Sequence, residues 1–309
     1  MNLRVLRVVV PVVGLAVGLA LLHWLVDLPA VFRRLADADP AWILVAVALN
    51  SLAPVVVAVK VQAYVRLAGE TVTFRRAWSA VMAAVALNAV LPARGGDLIR
   101  AVFLAENRGT VSLLVGVVVL ERLVDVFTLG LLSLVAALFG GVTVATALAT
   151  GACLAAVAAI LVMASGHRLP WKTELAERVG RAARRVPAHP GPMLLGFACS
   201  LVSWGLNIVL MGALLRAVGV VASPAAVARA TPVAILAGIL PVTLGGIGTR
   251  DTTFVLLLGD GTNGDRIAAA AFLYTAITLW LQGLLGSAAL GRETLRRTRR
   301  AAEDARSGA

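Results

Sequence analysis

Charge is scarce in this chain. Of its 309 residues only 14% are Asp, Glu, Lys or Arg, whereas 60% are hydrophobic. A water-soluble domain carries charge on roughly a quarter of its residues, so this composition excludes an ordinary soluble protein and points to a polytopic membrane protein. Cysteine is nearly missing. Cys153 and Cys199 both fall inside apolar runs, where they read as small core residues rather than a disulfide or metal ligands. The three histidines, His23, His167 and His189, stand at segment ends or in a loop, which argues against a histidine relay within the membrane. Short alternating strands are absent, and with them the case for a membrane barrel. No nucleotide-binding motif occurs, and no His, Cys or carboxylate set suits a nucleophile or a metal at interfacial depth. No cofactor, no metal and no enzymatic activity are therefore expected. The formal net charge of +12 is assigned to loops facing anionic lipid headgroups, not to nucleic acid, since no soluble basic domain is present to bind it.

Long apolar runs are what the chain does have. They predict an all-α protein with about six full transmembrane helices, near 5–25, 42–64, 112–139, 142–165, 193–218 and 267–290. The first is read as a retained span, because its length and flanks do not suit a cleaved signal peptide. Between these lie two stretches of another kind, 77–108 and 224–259. Each is broken by proline and paired glycines: LPARGGDLIR at 91–100 and LPVTLGGIGTRD at 240–251. Their apolar arms of about 14 to 16 residues reach only about 21 to 24 Å, short of a ~30 Å hydrocarbon core. Two re-entrant helical hairpins are expected, since broken helices survive at that depth only where protein or a watery cavity covers them.

The charges orient the chain. With both termini cytoplasmic, Arg and Lys crowd one side through Arg4, Arg7, the segment VRLAGETVTFRR, the 166–192 loop and the tail from 293 to 309. The hairpins then enter from opposite faces, as in an inverted repeat. The sequence supports one. Arg66-Leu-Ala-Gly69 answers to Arg216-Ala-Val-Gly219, Leu91-Pro92 to Leu240-Pro241, and Gly95-Gly96 with Arg100 to Gly245-Gly246 with Arg250. Further along, Glu121, Arg122 and Asp125 fall opposite Tyr274, Thr275 and Thr278. Residues 1–292 are thus read as a single transmembrane domain of two repeats, about 42–139 and 193–290.

The second arm of each hairpin begins at its tip, where unpaired N–H groups and the positive helix end collect. Arg94, Arg100 and Arg250 add full charges, so the pair of tips suits an anion such as phosphate. Asp97 is placed to pair with Arg100 at i+3. Arg250 and Asp251, being adjacent, are not expected to face each other. Glu121, Arg122 and Asp125 lie well inside an apolar helix, with Glu121 and Asp125 on one face. Such charges cost at least ~2.5 kcal/mol each in lipid and should face protein or a cavity. They either neutralise the hairpin arginines or exchange partners during function. Lys60 reads as a side chain snorkelling to the interface. The amphipathic segment TELAERVGRAARRV reads as a helix lying on lipid.

The run Asn88-Ala-Val-Leu-Pro92-Ala-Arg94-Gly95-Gly96-Asp97-Leu-Ile-Arg100, followed by Glu121-Arg122-Leu-Val-Asp125, resembles the flippase-like membrane region of bacterial lysylphosphatidylglycerol synthases and its stand-alone relatives. Pro241 through Gly245-Gly246-Ile-Gly248-Thr-Arg250-Asp251 is similar to that family's second glycine-rich motif. The resemblance runs from about residue 40 to 290. It implies a protein that handles or translocates lipid, with Arg94, Asp97, Arg100, Glu121, Arg122, Asp125, Arg250 and Asp251 as functional positions. Asp97 and Asp251 stand where the family usually has glutamate, and Leu244 where it often has proline. The soluble aminoacyl-transferase domain of the two-part synthases does not follow, so this chain is not expected to charge a lipid with lysine.

The expectation is a flippase-like carrier in the bacterial cytoplasmic membrane. It would pass a phosphate-bearing lipid (a phospholipid, an aminoacylated lipid or a polyprenyl-phosphate-linked lipid) between leaflets. Its partners would be that lipid headgroup and the surrounding membrane lipids. The main rival is an ion-coupled carrier of a small soluble anion, followed by a membrane-embedded enzyme acting on polyprenyl phosphate and by a structural protein with purely internal ion pairs.

Overall fold

The computed structural model describes residues 27–88, 95–105, 108–141, 143–164, 174–239, 246–259 and 261–288, with residue 20 alone before them. The expected span at 5–25, the basic tail and both hairpin tips, including Arg94 and Gly245, lie outside the described residues. The described residues form helices and turns without a strand.

A short helix α1 (Leu28–Ala36) precedes the first long one, α2 (Pro40–Leu67). Asp39 starts α2: its carboxylate accepts from the Ala41 N–H at 2.8 Å, and Pro40 sits in the first turn, where its missing N–H costs nothing. Then come α3 (Phe74–Asn88), α4 (Gly95–Leu104) and α5 (Arg108–Gly140). After α6 (Val144–Ala164) and α7 (Glu174–Ala183), a like series follows: α8 (Pro190–Ala217), α9 (Pro224–Ile239), α10 (Thr249–Leu258) and α11, which runs from Gly264 to Ala288. The lengths recur in order: 28, 15, 10 and 33 residues in the first series, 28, 16, 10 and 25 in the second. The second arms, at ten residues, are shorter than the sequence suggested. One begins at the glycine pair, and the other follows Gly248, whose φ of +88° lies outside helix space.

Among the described residues, four helices are long and apolar enough to cross a membrane: Pro40–Leu67, Thr110–Phe139, Pro190–Ala217 and Gly264–Ala288. α2 and α8, one from each series, make the most extensive helix pair of the structure. At one end the Asp39 N–H donates to the Ala217 carbonyl at 2.8 Å, and the Arg216 guanidinium sits 4.9 Å over the Trp42 ring. Both helices end in the same way. Gly69 (φ +79°) and Gly219 (φ +77°) turn the chain, and an arginine from elsewhere covers the last carbonyls: Arg185 donates to Leu67 O at 3.3 Å, Arg266 to Gly219 O at 3.1 Å.

α7 departs from expectation. Its apolar residues Val179, Ala182 and Ala183 are buried with Leu114, Val117 and Val118 of α5, so protein, not lipid, covers that face. The sequence assigned that side to lipid because the groove beside α5 is a tertiary feature that no local pattern shows.

α2 and α11 also meet through an exchange of backbone needs. Pro54 has no N–H, which frees the carbonyl of Asn50 one turn earlier. Gln282 donates to that carbonyl at 3.2 Å and to the Asn50 side-chain oxygen at 2.9 Å. The Asn50 amide in turn donates to Ile277 O at 3.1 Å, inside the π-helical turn Ala276–Leu281. Gln282→Leu strands the freed carbonyl, for an expected loss of about 1–3 kcal/mol, read as a lower Tm of the purified protein in detergent. An unchanged Tm would show that the contact carries no net stability.

Candidate functional site: a buried charge network around a central cavity

The helix packing leaves a cavity of about 160 Å³ bounded by both series: α2, α3, α4 and α5 from the first, α8, α9, α10 and α11 from the second. It is reached by Lys60, Asp97, Arg100, Arg122, Asp125 and Arg250, together with the neutral polar groups Asn50, Asn88, Asn207, Tyr274, Thr278 and Gln282.

Close packing of the arms positions these charges. In the first series a Cβ on Gly96 would lie 2.4 Å from Ala84 O and 2.8 Å from Asn88 Oδ1, so only glycine lets α4 rest on α3 here. In the second, a Cβ on Gly246 (φ +79°) would lie 2.8 Å from the Cα of Gly238. Asn88 and Gly238 are each eight residues before their glycine, so the same crossing is built twice. It sets Asp97 and Arg100, or Arg250 and Asp251, just inside the second arm.

In the first series three cations meet three carboxylates. Glu121, 1% exposed, accepts from Arg100, from Arg122 at 2.7 Å and from Lys60 at 3.1 Å. Asp125 accepts from Lys60 at 2.9 and 3.0 Å, from Ser200 Oγ at 2.8 Å and from the Trp204 indole N–H at 3.1 Å, with Arg122 at 3.3 Å. Asp97 takes the Asn88 amide at 3.3 Å and faces Arg122 at 3.5 Å. Each buried charge thus has an opposite charge in contact, the condition under which ionised groups are tolerated away from water.

Two expectations change. Lys60 does not snorkel: it is 2% exposed and bridges Glu121 and Asp125, because the carboxylates one helix away offer more than the interface. Arg100 turns to Glu121 across the helix interface, leaving Asp97 to Asn88 and Arg122, so the i+3 pairing gives way to a tertiary one.

The second series is built differently. Arg250, 6% exposed, donates to Thr275 Oγ1 and lies 4.9 Å over the Tyr274 ring, whose hydroxyl donates to Asn207 Oδ1 at 2.6 Å. Contrary to expectation it does approach Asp251, at 3.4 Å through Nε. The arginine side chain is long enough to fold back toward its neighbour, so adjacency alone does not keep the two apart. Asp251 itself caps α10, accepting from the Gly248 N–H at 3.1 Å.

Of the residues the sequence pointed to, Asp97, Arg100, Arg122, Asp125 and Arg250 line the cavity, while Gly96, Glu121, Gly246 and Asp251 stand behind them in the arm crossings and the charge network. Gly95 opens α4. The sequence did not point to Lys60, Trp204, Asn207 or Tyr274. A signal existed for α8: Ser200, Ser203, Trp204 and Asn207 fall at i, i+3, i+4 and i+7, one polar-capable stripe on an otherwise greasy helix. Among the described residues no group of His, Cys, Asp and Glu is arranged to hold a metal.

Long apolar helices enclosing a cavity with buried ion pairs define an integral membrane protein. The chain belongs to the lysylphosphatidylglycerol synthase TM region family, whose model matches residues 12–286. No curated protein matched it.

Proposed function

We propose that this protein is a non-enzymatic lipid transporter of the bacterial cytoplasmic membrane. It passes a phosphate-bearing headgroup through the central cavity while the tails stay in the bilayer. The observation that carries the reading is the cavity itself: it lies between the short arms of both series and gathers three buried cations, Lys60, Arg100 and Arg250, and the part-buried Arg122 among charged and neutral partners.

In this reading the α3–α4 and α9–α10 pairs are re-entrant hairpins entering from opposite faces. Their helices, 15, 10, 16 and 10 residues long, reach about 22, 15, 24 and 15 Å, too little to cross a core of ~30 Å. The four long helices, α6 and the segment at 5–25 make six spans, with both termini cytoplasmic. Arg94, Arg100 and Arg250, with the N–H groups at Gly95–Gly96 and Gly245–Gly246, form the anion-binding region. Asp97, Glu121, Arg122, Asp125 and Asp251 balance it. The small volume also suits a soluble anion, which is the second reading.

The test is scrambling of fluorescent phosphatidylglycerol in proteoliposomes, followed by dithionite quenching. Wild type is expected to equilibrate the leaflets without ATP, and Arg250→Gln, if monodisperse, to do so at least tenfold more slowly. No lipid movement, or a strict need for ATP with the purified chain, sinks the proposal. Uptake of soluble phosphate in its place favours the second reading.

A further inference from the structure

The repeat brings two arginines to equivalent places and gives them unlike partners. Arg100 of α4 meets the carboxylate of Glu121 on α5. Arg250 of α10 meets the corresponding turn of α11, where Tyr274 and Thr275 stand in the places of Glu121 and Arg122. An aromatic face and a hydroxyl replace an anion. The carboxylate nearest to Arg250, Asp251, is already engaged. One oxygen accepts the Gly248 N–H, the other the Thr275 hydroxyl at 3.4 Å, and the group sits at a helix start that stabilises negative charge without help from Arg250. Its contact with Arg250 is through a single oxygen at 3.4–3.5 Å, far from a bidentate fork. Arg250 is nonetheless more than nine-tenths buried, lines the cavity, and its buried Nε makes no hydrogen bond among the described residues.

We infer that, within the proposed anion-binding region, the substrate anion is seated at Arg250 of the second series, and that the ligand is a monoanionic phosphodiester. The inference rests on the reading proposed above and assigns the headgroup a fixed polarity within the cavity. Among the described residues around the cavity, the first series sets Lys60, Arg100 and Arg122 against Asp97, Glu121 and Asp125, which leaves no cation to spare. A single under-compensated guanidinium over an aromatic face matches one negative charge. A phosphomonoester near neutral pH brings close to two, and the second has no counterpart on that wall.

The asymmetry can be erased by one substitution. Tyr274→Glu gives Arg250 the partner that Arg100 has, and Tyr274→Gln provides the same side-chain length without the charge. Binding is measured by titration calorimetry on the full chain in detergent with four probes: a short-chain phosphatidylglycerol, a short-chain phosphatidic acid, tail-less glycerophosphoglycerol and inorganic phosphate. The Glu variant is expected to bind the diester lipid at least tenfold more weakly than the Gln variant, and wild type to prefer diester to monoester. If Tyr274→Glu fails to fold, Asn207→Asp is read in its place. It is isosteric, keeps the acceptor for the Tyr274 hydroxyl, and adds charge to the same wall.

Equal affinity of the Glu and Gln variants, no weakening by Asn207→Asp, or a preference for phosphatidic acid overturns the inference. Each of these requires that wild type binds lipid. Wild type that binds none of the four probes overturns the transporter reading instead. Equal binding of glycerophosphoglycerol and the tailed diester keeps the site at Arg250 and overturns the lipid as its source.

Discussion

Glu121→Gln is expected to be among the most damaging single changes in this protein. Glu121 is 1% exposed and is shared by Arg100, Arg122 and Lys60. Glutamine is nearly isosteric and still accepts a hydrogen bond, so little is lost in shape. What is lost is charge: buried Lys60 and Arg100 and the part-buried Arg122 would face two carboxylates. Removing one member of a buried ion pair costs about 3–5 kcal/mol, a large share of the roughly 5–15 kcal/mol that holds a typical domain together. A fall in Tm of roughly 10 °C follows, using the few degrees per kcal/mol typical of chains this long. It is measured by tryptophan fluorescence in detergent alongside size-exclusion profiles. The double variant Arg100→Gln/Glu121→Gln restores two cations against two carboxylates and is expected to recover most of the loss. A double variant as unstable as the single would show that particular contacts, and not charge balance, hold the network.

Gly96→Ala is the second. The added methyl would lie 2.4 Å from the Ala84 carbonyl oxygen and 2.9 Å from the Leu87 Cβ, and the backbone of a 15-residue helix cannot yield locally. α4 must therefore lift off α3. Overpacking of this kind costs about 1–3 kcal/mol, but the larger effect is positional, because Asp97 and Arg100 ride on the helix that moves. If the protein scrambles lipid as proposed, the rate is expected to fall at least tenfold, on the principle that a shift of about 1 Å in a positioned group is enough to do so. Gly246→Ala should act alike, with the strain of a φ of +79° added. Gly205→Ala on α8 is the control, since nothing lies within 4 Å of its added methyl. Wild-type rates in Gly96→Ala would show that the arm crossing does not position the site.

The sequence made the elements legible because their signals are local. Apolar length marks α2, α5, α8 and α11, while Pro40 and Pro190 with Gly69 and Gly219 punctuate the two longest equivalent helices. The glycine pairs announced the crossing of the arms. Partner choice was harder to read. Lys60 looked peripheral because it lies toward the end of α2, and only the packing of α2 on α5 brings it to Asp125. Arg100 had a partner three residues away in Asp97, yet it takes one 21 residues away. Burial explains this: a pair buried on both sides is screened less than one along a helix surface. Asn50, Gln282 and Tyr274 were invisible for the opposite reason, since each is unremarkable in its own segment and gains meaning only from the other half.

The six-charge cluster has a consequence at a distance. Its positive and negative groups sum to zero within a few ångströms, so its potential decays much faster than that of one ion. Hydrocarbon offers no mobile salt to hide a bare charge, and an unbalanced cluster would pull counterions and protons toward the core of the bilayer from afar. The cluster of the first series is electrically quiet to anything that is not already touching it.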